Sequence, residues 1–106
     1  GDRAGTAEHT FQLGDALLRE YKQTRDSTTL AEATSLFERA RKHFAGIGNP
    51  DRLHVVAAQA EAALEAGQRA KAHELAELAL AQKAGSGAEE EAHARAKGVK
   101  ERAAKA

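Results

Sequence analysis

Histidine is the side chain here best suited to bind a metal ion or to transfer protons near neutral pH. Two histidines on one helix bind zinc together when they are four positions apart, and no two histidines in this sequence have that spacing. Glu89 and His93 do have it, but a charged helix surface produces the same pair, so we predict no metal site. The five histidines are His9, His43, His54, His73 and His93.

Two short motifs resemble fragments of catalytic or phosphate-binding sites. His73-Glu74 begins like a zinc-protease motif, but Glu77 occupies the position of the second histidine. Gly46-Ile47-Gly48 resembles part of a phosphate loop, but lacks a preceding strand, a third glycine and a lysine in register. The carboxylates lie among Lys and Arg on predicted solvated faces, where no acid–base pair forms. We therefore predict a protein that is not an enzyme and has no cofactor.

Composition excludes several classes of partner. Sixteen basic and sixteen acidic residues balance, which argues against a nucleic-acid interface, and no aromatic residue interleaves the basic run of the last segment. No apolar run is long enough to span a membrane. Cysteine is absent, so a cytoplasmic location fits best. Methionine is also absent, even at position 1, so we expect a processed product or a piece of a longer protein.

The residue types predict an all-α chain. Alanine is the commonest residue, Leu, Glu, Lys, Arg and Gln supply most of the rest, and Val, Ile and aromatic residues are scarce. Polar or glycine-containing breaks near residues 25–29, 46–49, 67–68 and 85–87 predict five helices. The first helix is expected over about residues 7–24 and the last over residues 88–106.

Helix-end signals support these breaks. Thr29 with Glu32 has the spacing of a capping box and predicts that the second helix starts near Leu30. Asn49-Pro50 is expected to open the third helix, and Gly67 to end it in a left-handed conformation.

Apolar residues at three- and four-residue spacing define the predicted inward faces. The last helix has a thin stripe and is interpreted as a solvating cap that packs lightly on the fourth helix. The five stripes are, in order, Phe11, Leu13, Gly14, Leu17, Leu18 and Tyr21; Leu30, Ala33, Leu36, Phe37, Ala40, Phe44 and Ile47; Leu53, Val56, Ala57, Ala60, Ala63 and Leu64; Ala72, Leu75, Ala76, Ala79 and Leu80; and Ala92, Ala96, Val99 and Ala103.

An internal repeat relates the two predicted hairpins. Ala33 and Ala40 correspond to Ala72 and Ala79 by one offset, and small residues at such positions let two helices cross closely. With Leu13-Gly14, Phe37, Ala60 and Gly67, this pattern resembles the tetratricopeptide repeat, in the long-repeat variant common in actinobacterial multidomain proteins.

The length predicts a single domain, residues 1–106. The resemblance covers roughly residues 7–84 and implies a right-handed superhelical arrangement of two repeats, followed by the C-terminal capping helix. Hairpin one covers about residues 7–47, hairpin two about 50–84 and the capping helix about 88–106. It also implies a concave groove, lined by the first and third helices, that binds a peptide or protein segment. Carried over from the family pattern, the groove residues are Glu8, Phe11, Asp15, Leu18, Arg19, Lys22, His54, Ala57, Glu61, Leu64 and Glu65.

The sequence is compatible with two alternative functions. The first is a protein-interaction module within a larger cytoplasmic, bacterial regulatory or signalling protein, with Phe11 and Leu18 as apolar anchors and Glu61 and Glu65 setting the charge preference. The second is a structural or oligomerisation unit whose groove is filled by its own chain or by a second copy in a homodimer. In that case Phe11 and Leu18 only pack against neighbouring helices.

Overall fold

The computed structural model describes residues 3–49 and 52–105, and these residues contain helices and no strand. The prediction of an all-helical chain is therefore confirmed for this part. The five helices are α1 (Arg3–Thr24), α2 (Ser27–Gly46), α3 (Leu53–Glu65), α4 (Arg69–Leu80) and α5 (Gly87–Ala104).

The helices belong to two compact units. The first unit is Gly1–Arg52 and contains the hairpin of α1 and α2. The second unit is Leu53–Ala106 and contains α3, α4 and α5. The last helix is therefore part of the second unit. It packs on α4, as the sequence predicted, and also on α3.

The core of the first unit follows the predicted stripe of α2 closely. Two residues of that stripe are exceptions: Leu36 is half-buried, and Ile47, the C-cap residue, is 39% exposed. From α1, Phe11 packs its ring against Phe37 at a centroid distance of 5.9 Å, and Gly14 lies against the same ring. Leu18 is fully buried, whereas Leu13 is 47% exposed. The buried residues of α2 are Leu30, Ala33, Phe37, Ala40 and Phe44.

The connection between α1 and α2 is shorter than predicted. Arg25 adopts a left-handed conformation with φ of 58°, and Asp26 is the N-cap of α2. The Asp26 carboxylate accepts a hydrogen bond of 2.9 Å from the Thr28 amide. The predicted capping box at Thr29 is therefore wrong, because Asp26 satisfies the free amides earlier and α2 begins at Ser27.

Two glycines end α2 and α3 in the same way. Gly48 has φ of 84°, and the Asn49 amide donates to the Phe44 carbonyl at 2.8 Å. Gly67 has φ of 80°, and the Gln68 amide donates to the Ala63 carbonyl at 2.9 Å. Both are Schellman motifs, which satisfy the last carbonyls of a helix.

The start of α3 differs from the sequence prediction. Asn49 closes α2, and α3 begins at Leu53, so Asn49 is not the N-cap of α3. Pro50, which was expected to open that helix, lies outside the described residues.

The second unit has a single hydrophobic cluster to which all three helices contribute. Its members match the predicted stripes of α3, α4 and α5, and Leu64 and Leu80 pack against it as partly buried residues. The cluster consists of Leu53, Val56, Ala57, Ala60, Ala63, Ala72, Leu75, Ala76, Ala79, Ala92, Ala96 and Val99.

Candidate interaction surfaces

The groove residues expected on α1 have different environments. Glu8 and Asp15 are half-buried, and Arg19 and Lys22 are exposed. The Glu8 carboxylate lies 3.9 Å from Nε of Arg52, whose guanidinium in turn lies over the Phe44 ring at 5.0 Å. Polar groups on α1 are therefore accessible.

The two apolar anchors expected on α1 are core residues. Phe11 is 8% exposed and packs on Phe37, and Leu18 has no exposed surface. Of the two interpretations left open by the sequence, burial favours packing over ligand contact for both. Neither side chain offers the exposed apolar surface that a binding anchor needs.

The groove residues expected on α3 are also largely covered. Ala57 is fully buried in the hydrophobic cluster, Glu61 is buried, and His54, Leu64 and Glu65 are half-buried. The α1 residues and the α3 residues belong to different compact units.

Glu61 is a buried carboxylate that the sequence did not predict. Nε of Arg95 donates a hydrogen bond of 3.1 Å to Glu61 Oε2, and Nη2 of Arg95 donates one of 3.5 Å to Glu61 Oε1. The Glu61 side chain is 10% exposed and that of Arg95 25%. This forked geometry with a planar guanidinium is the strong form of a carboxylate–arginine pair. The expectation that the carboxylates lie on solvated faces is therefore wrong for Glu61.

A second ion pair joins the same two helices. Nη2 of Arg102 lies 3.6 Å from Oε1 of Glu65, and the side chains are 55% and 10% exposed, respectively. The carboxylates expected to set the charge preference of a ligand are therefore neutralised by basic residues of α5.

The two ion pairs form one polar row between α5 and α3, and a second polar row joins α5 to α4. Nε2 of His93 and the Gln82 carbonyl oxygen, just beyond α4, are 2.5 Å apart. Nζ of Lys100 lies 3.2 Å from the Glu77 carboxylate, to which His73 also pairs at 3.4 Å. The sequence analysis interpreted Glu89 and His93 as a surface pair. In the structure His93 contacts the Gln82 carbonyl, and Glu89 accepts a hydrogen bond of 3.0 Å from the Gly85 amide.

These contacts define the relative directions of the helices within the second unit. From Glu61–Arg95 to Glu65–Arg102 the residue numbers rise along both helices, so α3 and α5 are parallel. From Gln82–His93 to Glu77–Lys100 they rise along one and fall along the other, so α4 and α5 are antiparallel. The second unit is an up-down-up arrangement of three helices.

The spacing of the basic residues in α5 is a sequence signal for these rows. Arg95 and Arg102 are two helical turns apart, as are His93 and Lys100, so each pair lies on one flank of the Ala92–Val99 stripe. Glu61 and Glu65 are one turn apart on α3. The spacing alone could not show that these rows would meet, because nothing local brings α5 to α3.

An open cavity of about 420 Å³ lies between the last residue of α4 and the C-terminal half of α5. Its lining consists of Leu80, Lys97, Lys100, Glu101 and Ala104. Within residues 3–49 and 52–105, no group of His, Asp and Glu side chains has a geometry that could hold a metal ion. None of the helices in the described part is long and apolar enough to cross a membrane.

Comparison with family models, with curated proteins and with solved structures finds no match to this chain.

Proposed function

We propose that this chain is a non-catalytic protein-interaction module of the tetratricopeptide type, which binds a peptide or protein segment. The observation that carries the proposal is the burial of four corresponding alanines. Ala33, Ala40, Ala72 and Ala79 each have no exposed surface, and each lies on the second helix of a hairpin. Small buried residues at repeated positions are typical of stacked helical hairpins, which serve as binding scaffolds.

The arrangement of α5 supports the same class. In an array of helical hairpins, the first helix of each repeat contacts both helices of the preceding one. Parallel to α3 and antiparallel to α4, α5 has the position of such a first helix. The proposal includes a right-handed superhelical arrangement and places the module in a larger cytoplasmic protein.

The binding surface that we propose is polar. The expected groove residues that lie in the core are Phe11, Leu18 and Ala57. We therefore expect a ligand to contact the accessible polar side chains of the groove. On α1 these include Asp15 and Arg19. A ligand with both acidic and basic side chains fits such a surface, and we expect binding that weakens with added salt because exposed charges are screened.

A selection experiment tests this proposal. The whole chain is used to select from a displayed peptide library, and selected peptides are then measured by fluorescence anisotropy against two charge-reversal variants. Arg19→Glu changes an exposed residue of the proposed surface, and Arg39→Glu changes an exposed residue of α2 as a matched control. We expect Arg19→Glu to weaken binding at least about fivefold, roughly 1 kcal/mol, and Arg39→Glu to leave it unchanged. Failure to select a peptide, or equal losses in both variants, would contradict the proposal.

A further inference from the structure

The surface of α3 and α4 that α5 covers is a binding site for a helix with a specific pattern. We call this surface the α5 seat. It consists of the hydrophobic-cluster residues of α3 and α4 together with the carboxylates of Glu61, Glu65 and Glu77 and the Gln82 carbonyl. In this structure it is filled by α5 of the same chain.

The apolar contribution of α5 to this contact is small. Only Ala92, Ala96 and Val99 are buried along its 18 residues. Apolar contact stabilises in proportion to buried area, and two methyl groups and an isopropyl group bury little of it. We therefore expect α5 to leave the seat more readily than α3 or α4 leave the core.

The polar rows give the seat its selectivity. Arg95 and Arg102 pair with α3 on one flank, and His93 and Lys100 contact the α4 side on the other. Moving α5 by one residue would rotate it by about 100° and break both rows, because a helix has 3.6 residues per turn. The seat thus accepts a helix of one direction and one register, with small residues on its buried face.

The N-terminus of α5 is capped by its own neighbours. Ser86 Oγ accepts a hydrogen bond of 3.2 Å from the Glu89 amide, and Glu89 Oε1 accepts one of 3.0 Å from the Gly85 amide. Neither bond involves α3 or α4. These caps can therefore remain formed when α5 leaves the seat.

We propose that α5 exchanges between two copies of this chain, so that α5 of each copy occupies the α5 seat of the other. Within the described residues, α5 is the helix that carries both polar rows, so a second copy supplies the matching occupant. Reciprocal exchange fills both seats and closes a symmetric dimer. This dimer does not use the polar α1 surface of the proposed function, so either proposal can fail alone.

The connector between α4 and α5 provides the means of testing this exchange. It spans residues 81–86, and its first four residues, Ala81-Gln82-Lys83-Ala84, are good helix formers. The break between helices therefore depends on Gly85-Ser86-Gly87. The triple variant Gly85→Ala/Ser86→Ala/Gly87→Ala should join α4 and α5 into one helix, which prevents α5 from folding back onto its own seat.

The chain has no cysteine, so cross-linking of two introduced cysteines shows whether α5 of the same copy or of a second copy fills the seat. Glu77→Cys/Lys100→Cys replaces an exposed ion pair across the α4–α5 contact, and a short bismaleimide then links the two positions. Linkage within one chain gives a monomer on a denaturing gel, and exchange gives a covalent dimer. A short connector produces an effective concentration on the order of 1 mM, so exchange becomes measurable near that protein concentration.

We expect mostly linked monomer at low concentration, a rising dimer fraction towards about 1 mM, and a higher dimer fraction at each concentration in the triple-alanine background, where no intramolecular contact competes. Arg95→Glu/Arg102→Glu in the triple-alanine background should lower the dimer fraction at least tenfold, because the rows then repel Glu61 and Glu65. Linked monomer alone in both backgrounds would overturn the proposal. Dimers that persist after charge reversal would also overturn it, because contact would then not depend on the seat.

Discussion

A Cβ atom placed on Gly14 would lie 2.9 Å from Cε1 and 3.0 Å from Cδ1 of the Phe37 ring. Phe37 is fully buried, so its ring has little room to move. Glycine at position 14 is therefore what allows α1 and α2 to approach closely, although glycine lowers helix stability.

Gly14→Ala should reduce stability by about 1 kcal/mol, because the clash with Phe37 outweighs the gain in helix propensity. Gly98→Ala in α5 is the matched control, since a Cβ there meets no atom within 4 Å. That variant should be more stable by about 0.5–1 kcal/mol. Urea denaturation measures both. Equal stabilisation by the two changes would mean that α1 and α2 are less closely packed than described.

Ala40→Leu and Ala79→Leu should each cost roughly 1–3 kcal/mol, because both alanines are fully buried and a larger side chain would overpack the core. The same change at exposed Ala31 should cost less than about 0.5 kcal/mol. Denaturant midpoints of the three variants provide the comparison. Similar losses at all three sites would contradict the correspondence between the two hairpins.

Phe11→Ala should lower the free energy of unfolding by roughly 3 kcal/mol, because it removes a buried ring that packs on Phe37. Leu13→Ala, on the same helix but 47% exposed, should change it by less than about 0.5 kcal/mol. Thermal melts followed by circular dichroism distinguish the two. An unchanged melting temperature for Phe11→Ala would revive its role as a binding anchor.

Arg95→Gln should destabilise the second unit by about 2 kcal/mol, because it weakens a forked pair with a buried carboxylate. Arg102→Gln should cost less than about 0.5 kcal/mol, since the Arg102 side chain is 55% exposed. Hydrogen exchange at the amides of α5 is the most direct measurement. If the two variants exchange alike, the Glu61–Arg95 pair does not hold α5 in place.

Gly67→Ala should cost about 1 kcal/mol, because φ of 80° strains any residue that has a Cβ. Gly46→Ala, at the helical end of α2, should be neutral or slightly stabilising. A Cβ at either position meets no atom within 4 Å, so backbone conformation alone separates the two variants. Their denaturation midpoints should differ by more than the error of the fit. Equal midpoints would exclude strain at Gly67.

Local chemistry explains what the sequence predicted correctly. Glycine is the residue that best tolerates the left-handed conformation that ends α3, so Gly67 could be placed without knowledge of the fold. The stripe of Leu30, Ala33, Phe37 and Ala40 fits only a helical period, so the buried face of α2 was also predictable. The start of α2 was misplaced because Asp26 and Thr29 are both good caps, and only the backbone turn at Arg25 selects Asp26.

The tertiary structure decided everything that depends on which helices meet. The sequence is compatible with Phe11 as a core residue or as a ligand anchor. The packing of its ring against Phe37 favours the core. Glu61 was expected on an exposed face. It is buried because α5 packs on α3 and places Arg95, 34 residues further along the chain, against the Glu61 carboxylate. The role of α5 changed for the same reason. A thin alanine stripe determines how little area a helix can bury, but not whether one neighbour or two will cover it.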